Sequence, residues 1–316
     1  MRGSRAIFAV VLILFTALGL NTAAATAATV SPGDILVVDE DGGVVRHYSA
    51  TGSDLGLFAS GLAAPAWITT DRNGNVYVSE YRGGKVVKFS AAGDVLLTIT
   101  TPYIPGGVEI GGDGSIYVAH YDAGAIHRYS PAGSDLGIFA TYAGCATGCG
   151  TDFIKFDSAG NLYVGDFQPS GRIRVISPAG VDLGNFVTAD GVEGMAFDAT
   201  GNLYVSNYIT GVIHKYSPSG ADLGAFAPVG SGFYGLAFDG EGNLYSSLTS
   251  PGIVKKFSSS GADLGGFGVS GRDLVVVQPG GPATKDECKE DGWKSFEFPR
   301  AFEDQGDCIQ FVNTGK

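Results

Sequence analysis

The stretch GMAFDATGNLYVSNYITGVIHKYSPSGADLG, residues 194–224, decides the fold because versions of it recur along the chain. Its apolar and alternating segments are short, and turn-forming residues such as Gly, Pro, Asn and Asp separate them, which is typical of β-strands joined by tight hairpins. The strands expected in this unit are 194–198, 203–207, 212–217 and 222–227. One repeat therefore predicts four short antiparallel strands.

The repeat is counted most clearly on its Gly-Asn-x-Tyr element. The tyrosine of this element, or the residue in its place, stands at positions 36, 77, 117, 163, 204 and 245, and a second motif, Asp-Leu-Gly, recurs in phase in five of the six units. In the second unit the chain has Asp94-Val95-Leu96 instead. Four strands at a period of about 41 residues are typical of propeller blades. The sequence predicts an all-β fold, a six-bladed β-propeller of four-stranded blades over residues 32–278.

The ends of the repeat array predict how the ring closes. The first unit begins at its second strand, near Asp34, so it lacks an innermost strand. The apolar segment Asp273-Leu-Val-Val-Val277 follows the sixth unit and fits that gap. We expect the C-terminal strand to complete the N-terminal blade, which removes open sheet edges from the ring.

The N-terminus predicts an exported protein. Residues 1–27 have a basic start (Arg2 and Arg5), an apolar run from Ala6 to Leu20 and a small-residue Ala-Thr-Ala site, as signal peptides do. The apolar run is shorter than a bilayer span, although a retained membrane anchor is the alternative. The whole chain has a net charge of -12, which disfavours nucleic acid and anionic membranes as partners. The expected mature protein is a secreted monomer with no stable membrane insertion.

The four cysteines predict two local disulfides in an oxidising compartment, Cys145 with Cys149 and Cys288 with Cys308. A metal site at the first pair would need further ligands nearby. Residues 279–284 are interpreted as a linker and residues 285–316 as a small Cys-containing module. That module is a structural cap, a disordered tail or an attachment motif, and its sequence does not decide among them.

The units at 194–224 and 235–265 resemble NHL repeats, and they are similar to blades of the SMP-30/gluconolactonase and streptogramin-lyase propellers, here in a secreted bacterial protein. The resemblance implies a six-bladed propeller. It leaves function open, because such propellers include both enzymes and binding modules. The cofactor class that it indicates is a divalent cation, Ca²⁺ or Mg²⁺.

Candidate site residues are those that break the repeat. A ligand does not need to share the symmetry of the ring, so residues that bind one are expected to differ between blades. Two sets of positions vary in this way: the residue three beyond each anchor and the residue that opens each inner strand. Both sets are expected at one end of the ring, the mouth, and the candidates there are Asp39, Glu80, His120, Asp152, Asp166, Glu193, Asn207 and Trp67.

The resemblance also implies roles for some of these residues. Gluconolactonase-like propellers hold a divalent metal with Glu, Asn and Asp side chains, which implies Glu80, Asp166 and Asn207 as ligands here. This chain departs from the family where Glu193-Gly-Met stands in place of a Pro-Asn-Gly ligand motif. In streptogramin lyases a histidine is the general base, and His120 is expected in a mouth-facing loop.

Two functions follow from these observations. The first is a non-catalytic binding or scaffold module for an extracellular small molecule, glycan or protein, and the second is a divalent-metal-dependent hydrolase or lyase that uses the mouth. Variable polar loops also occur where nothing binds. The sequence contains neither a Gly-x-Ser-x-Gly elbow nor a phosphate-binding loop, so the binding module is favoured.

Overall fold

The structure, a computed structural model, describes residues 28–141, 150–166, 171–189, 191–230, 232–249 and 252–278, and near the C-terminus residues 288, 289, 304–306, 308 and 309. The predicted signal peptide and the pair Cys145 and Cys149 lie outside these residues. Within them, no helix has the length and apolar character needed to cross a bilayer.

Six four-stranded antiparallel sheets form the six predicted blades. The strands are, in chain order, β1 Ile35–Asp39, β2 Val44–Tyr48, β3 Asp54–Ser60, β4 Pro65–Thr70, β5 Val76–Glu80, β6 Lys85–Phe89, β7 Val95–Thr100, β8 Pro105–Ile110, β9 Ile116–His120, β10 Ala125–Tyr129, β11 Asp135–Thr141, β12 Thr151–Phe156, β13 Leu162–Asp166, β14 Arg172–Ile176, β15 Asp182–Thr188, β16 Val192–Phe197, β17 Leu203–Asn207, β18 Val212–Tyr216, β19 Asp222–Pro228, β20 Phe233–Phe238, β21 Leu244–Leu248, β22 Ile253–Phe257, β23 Asp263–Phe267 and β24 Asp273–Val276.

Blade 1 is closed by strand exchange, as the sequence predicted. Its sheet has the order β24-β1-β2-β3, and β24 pairs antiparallel with β1 from Ile35↔Val276 to Val38↔Asp273. The amide of Gly33 also donates to Val277 O at 2.7 Å. The two chain ends thus form one sheet, and the inner edge of blade 1 is covered.

The Gly-Asn-x-Tyr element is explained by a hydrogen-bond network in the first hairpin of a blade. In blade 2 the carboxylate of Asp71 accepts the amides of Asn73 and Asn75, the side-chain amide of Asn75 at 2.8 Å and the hydroxyl of Tyr77 at 3.0 Å. Lys88 lies over the Tyr77 ring, 5.0 Å from its centroid. Asp157, Asp198 and Asp239 hold the corresponding turns in blades 4 to 6, so these acids build hairpins.

Apolar side chains pack the blades against one another. The cluster between blades 1 and 2 joins Leu36 and Val45 to Val76, Val78 and other aliphatic residues, all buried. Equivalent clusters lie between the following blades. This packing fixes the blade angles and so the positions of the loops at the two ends of the ring.

Outside the propeller, the structure joins Cys288 to Cys308 by a disulfide, with the two Cα atoms 5.7 Å apart. This is the pairing that the sequence predicted. The boundaries of the linker and of the C-terminal module stay predictions, because most of those residues are outside the described ranges.

Candidate functional site

The first set of predicted mouth residues consists of the residues three positions beyond each anchor. Several of their side chains hydrogen-bond to neighbouring loops. Asp39, Glu80 and Asn207 end their strands, and their side-chain oxygens accept backbone amides of nearby loops. The buried Glu80 carboxylate accepts the Ala63 amide at 2.7 Å and lies 3.3 Å from Lys85 Nζ. These oxygens hold the polypeptide at the rim of the mouth.

The three residues implied as metal ligands have protein partners in the structure. Glu80 and Asn207 use their oxygens as just described, and Asp166 Oδ2 is paired with Arg172 Nη2 at 3.5 Å. Among the described residues, no group of three or more His, Cys, Asp or Glu side chains is arranged to hold a metal ion. The divalent cation therefore stays a prediction.

His120 is the residue implied as a general base. It is the last residue of β9, it is fully buried, and its ring contacts the rings of Tyr103 and His127, with centroids 5.4 and 4.8 Å away. Burial and the neighbouring His127 lower the pKa of His120 to about 4. The imidazole is neutral near pH 7 and packed among aromatic rings.

The second set consists of the residues that open the inner strands, and most of them lie at β-bulges. In five of the six inner strands the pairing with the second strand skips a residue near the start of the strand, for example between Thr151 and Phe153 and between Val192 and Gly194. The skipped residues are Asp152 and Glu193. A bulge re-aims the side chain that it carries. Blade 1 contributes Arg272, which directly precedes β24 and whose amide donates to Val38 O at 2.8 Å.

Asp152, Glu193 and Arg272 form a cluster in which the residues are close enough for their charges to act on one another. Asp152 is 2% exposed and Glu193 3% exposed. The Asp152 Oδ1 atom is buried and has no hydrogen-bond partner among the described residues. Arg272 Nη1 donates to Glu40 Oε2 at 2.6 Å. The cluster thus joins residues from blades 1, 4 and 5.

Burial controls the protonation of the two acids. It raises the pKa of Asp152 to about 7, against the positive charge of Arg272. Burial and the charge of Asp152 raise the pKa of Glu193 to about 8. Near neutral pH the pair therefore retains at least part of its protons, and the two carboxyls can both donate and accept hydrogen bonds.

Trp67 supports this cluster from below. The guanidinium carbon of Arg272 lies 4.6 Å from the centroid of the Trp67 ring, and the rings of Tyr81 and Phe153 pack against it. The Trp67 side chain is only 2% exposed. The indole ring packs against the guanidinium of Arg272 and holds it by a cation–π contact. The face of the indole is therefore covered.

Below the mouth, the central channel is packed and charged. Lys155 Nζ donates to Glu109 Oε2 at 2.7 Å, Thr69 donates to the same carboxylate, and Asp273 accepts the Ile68 amide. The cavity between these strands is about 20 Å³, which is room for about one water molecule. A ligand larger than a water molecule does not fit this cavity.

A cleft opens beside the charged cluster. Its volume is about 380 Å³ and it is lined by residues 40–43, residues 62–64 and Arg82, which is large enough for a small ligand. Ala64 in its wall has a φ of +52°, a conformation that is uncommon for residues with a side chain and that concentrates at functional sites. Because Glu40 lines this cleft and holds Arg272, the cleft and the cluster form one surface.

Sequence reasoning found Asp152 and Glu193 but missed two partners. Neither Arg272 nor Glu40 is among the candidate residues proposed from the sequence. The positive charge of Arg272 could have singled it out, because it is the single basic residue among the six that open the inner strands. The pairing with Glu40 depends on strand exchange between the chain ends and could not be found from local sequence.

Comparisons with known proteins agree with the fold. No family model and no curated protein matches the sequence. A chain of a nidogen–laminin complex has a TM-score of 0.67 and 15% identity, covering 78% of this chain and 98% of that one. The virginiamycin B lyase of Staphylococcus aureus has a TM-score of 0.58 and 15% identity, covering 77% and 83%. A gluconolactonase of Xanthomonas campestris has a TM-score of 0.55 and 22% identity, covering 66% and 75%.

The structural neighbours therefore include gluconolactonase-like and streptogramin B lyase six-bladed propellers, as the blade sequences indicated. At these identities the likeness shows the fold alone.

Proposed function

We propose that this chain is a non-catalytic recognition module that binds an extracellular ligand at the mouth of its propeller. The observation that supports the proposal is that Asp152, Glu193 and Arg272, from blades 4, 5 and 1, lie close enough for their charges to act on one another. Secretion is part of the proposal and rests on residues 1–27.

The energetics of the cluster support a binding role. Two acids whose pKa is raised by burial destabilise the folded protein at neutral pH. The other blades open their inner strands with residues such as Ala66 and Gly106, so the fold does not require an acid there. Strongly perturbed acids in a cleft are a feature of functional sites.

The chemistry of the surface indicates a ligand rich in hydrogen-bond donors. Asp152 and Glu193 offer acceptor oxygens, and Glu40 and Asp41 add acidic groups to the adjoining cleft. Arg272 is held by Glu40 and supplies a fixed donor on one side. Sugar hydroxyls and protonated amines both match such a surface, and either can be carried by a glycan, a small molecule or a protein.

The binding proposal is tested by titrating the wild-type protein with two probes, neutral oligosaccharides and an oligolysine peptide. Binding of one probe, followed by calorimetry, is expected to weaken at least tenfold in Asp152→Asn and Glu193→Gln, since each replaces a carboxyl oxygen that can accept a hydrogen bond by an amide nitrogen that cannot. The matched control is Glu241→Gln, on a first hairpin at the other end of the ring. Affinity that survives both mouth substitutions, or the absence of binding to either probe, would count against the mouth as the site.

The alternative is a divalent-metal-dependent hydrolase or lyase. It is supported by the raised pKa values of Asp152 and Glu193, which suit a general acid and a general base. A cation that binds the folded state raises its melting temperature in proportion to occupancy. Melting curves with EDTA and with added Ca²⁺, Mg²⁺ or Mn²⁺ therefore test it. Identical melting temperatures in all these buffers, with no turnover of a lactone and ester panel, would exclude it.

A further inference from the structure

Two positions of a blade bring side chains of its second and third strands together, as blade 1 shows. Asp39 ends β1 and pairs with Val44, whereas Arg46 in β2 pairs with Val37. The two side chains are therefore diagonal neighbours on one face of the sheet, a separation that long side chains can span. They meet in an ion pair, with Asp39 Oδ2 3.4 Å from Arg46 Nη2.

Blade 3 has two histidines at these positions. His120 ends β9 and pairs with Ala125, and His127 in β10 pairs with Val118. The centroids of the two imidazole rings are 4.8 Å apart, and His120 is 0% and His127 7% exposed. Where blade 1 has an acid and a base that neutralise each other, blade 3 thus has two rings that each carry a nitrogen lone pair in the neutral form.

The ring nitrogens of this pair make no hydrogen bond within the described part of the chain. Asp135 Oδ1 lies 3.5 Å from His127 Nδ1, and the backbone of Ile104 lies beside His120, but neither contact has the geometry of an ordinary hydrogen bond. Buried polar atoms without partners are rare in folded proteins, and a bound water molecule or ion is a common explanation. The nitrogen atoms of the two rings therefore indicate a ligand beside them.

The surroundings of the two rings favour a cation over a water molecule. Asp122 and Asp135 both act on His120 with their negative charge, and a positive ion bound to the rings would be attracted by both. The imidazole of His120 is neutral near pH 7, so it has no proton to lose before it binds a metal. The Tyr103 ring packs on His120 and is 45% exposed, so the pair lies beneath a side chain that faces solvent.

We propose that His120 and His127 together bind a late transition-metal ion such as Zn²⁺ or Cu²⁺, the class of ion that imidazole nitrogen favours. Among the described residues no group of three His, Cys, Asp or Glu side chains is arranged around such an ion, so water molecules complete its ligand shell. Asp135 is placed to orient the His127 ring, as carboxylates beside metal-binding histidines do. The site uses no residue of the cluster of Asp152, Glu193 and Arg272 and is independent of the proposed function.

The other blades supply the variants. Blade 5 has Asn207 and His214 at the two positions, so His120→Asn gives blade 3 the pair that blade 5 already accommodates. Blade 2 has Val87 in place of the second histidine, which makes His127→Val a matching replacement. The control is His214→Val, which removes the histidine at the same position of blade 5, where the neighbour is Asn207 and not an imidazole.

The measurement is calorimetric titration of each tag-free protein near pH 7 with Zn²⁺, with Cu²⁺ and with Ca²⁺, a cation that prefers oxygen ligands. The wild type and His214→Val are expected to bind Zn²⁺ or Cu²⁺, and the affinity is expected to fall at least tenfold in His120→Asn and in His127→Val. The rise in melting temperature that the bound ion causes in the wild type should be lost in the same two variants, and any response to Ca²⁺ should be the same in all four proteins.

A wild type that binds neither Zn²⁺ nor Cu²⁺, or a folded variant of either histidine that binds them as tightly as the wild type, would overturn the proposal. Circular dichroism of the metal-free proteins identifies a variant that does not fold, and the other variant then decides.

Discussion

Replacing Glu193 by Gln should stabilise the protein at alkaline pH and leave it nearly unchanged at acid pH. The folded state holds the proton of this buried acid up to about pH 8, whereas the unfolded chain releases it near the ordinary value of 4.5. Between these values the folded state binds more protons, so stability falls as the pH rises. The glutamine side chain has the shape of the protonated acid and has no proton to release. The stability of the variant therefore does not fall in this way as the pH rises.

The magnitude follows from the pKa. At about 1.4 kcal/mol per pH unit, a rise from 4.5 to about 8 corresponds to on the order of 5 kcal/mol. Asp152 has a pKa raised to about 7 and titrates in the same range, so the two carboxyls share this penalty. We expect Glu193→Gln to be more stable than the wild type by about 2–4 kcal/mol at pH 9 and by little at pH 5.

Urea unfolding of both proteins at pH 5, 7 and 9 measures this difference, with Glu241→Gln as the control for the loss of one exposed negative charge. Other titrating groups are common to wild type and variant and cancel in the comparison. A stability difference that is the same at pH 5 and pH 9, or a variant that is less stable than the wild type at pH 9, would contradict a raised pKa for the buried Glu193.

Two further predictions concern the fold. Deletion of residues 272–278 is expected to prevent stable folding, because β1 loses one of its two partners and blade 1 loses its inner strand. A truncated protein that melts as cooperatively as the full chain in calorimetry would refute the closure. Asp198→Ala is expected to destabilise the protein by about 1–3 kcal/mol in urea unfolding, since two backbone amides and the Asn202 side chain lose their acceptor. Although burial raises it, hydrogen bonds from Asn202 and Thr200 lower the pKa of Asp198 to about 2, so this loss should fade as the pH drops from about 4 toward 2.

The fold was predictable because its information is local and repeated. The Gly-Asn-x-Tyr turns are set by one aspartate and its neighbours within six residues, as Asp71 and Tyr77 show. The period of the repeat then gives the number of blades. Even the closure could be predicted, since a unit lacking its first strand and a surplus strand at the other end complement each other.

The site was predictable only in part, because a residue that differs from its counterparts in the other blades does not reveal where its side chain points. Glu80 and Glu193 are both acids at variable positions on one end of the ring. The backbone of β5 turns Glu80 toward the loop of the preceding blade, where it accepts the Ala63 amide. Glu193 lies on the bulge between Val192 and Gly194, close enough to Asp152 for the charge of that residue to raise its pKa.

The edge strands show where comparison among blades carries further than comparison at the mouth. At the mouth all six blades differ, so no blade serves as a reference for the others. At the outer edge five blades agree on Asp-Leu-Gly, and each of these glycines has a positive φ that suits glycine. Blade 2 has Leu96 in this place, and the pairing register shifts there as well. The variable residues of the mouth had no such rule, and their roles became clear only from the bulges that place them.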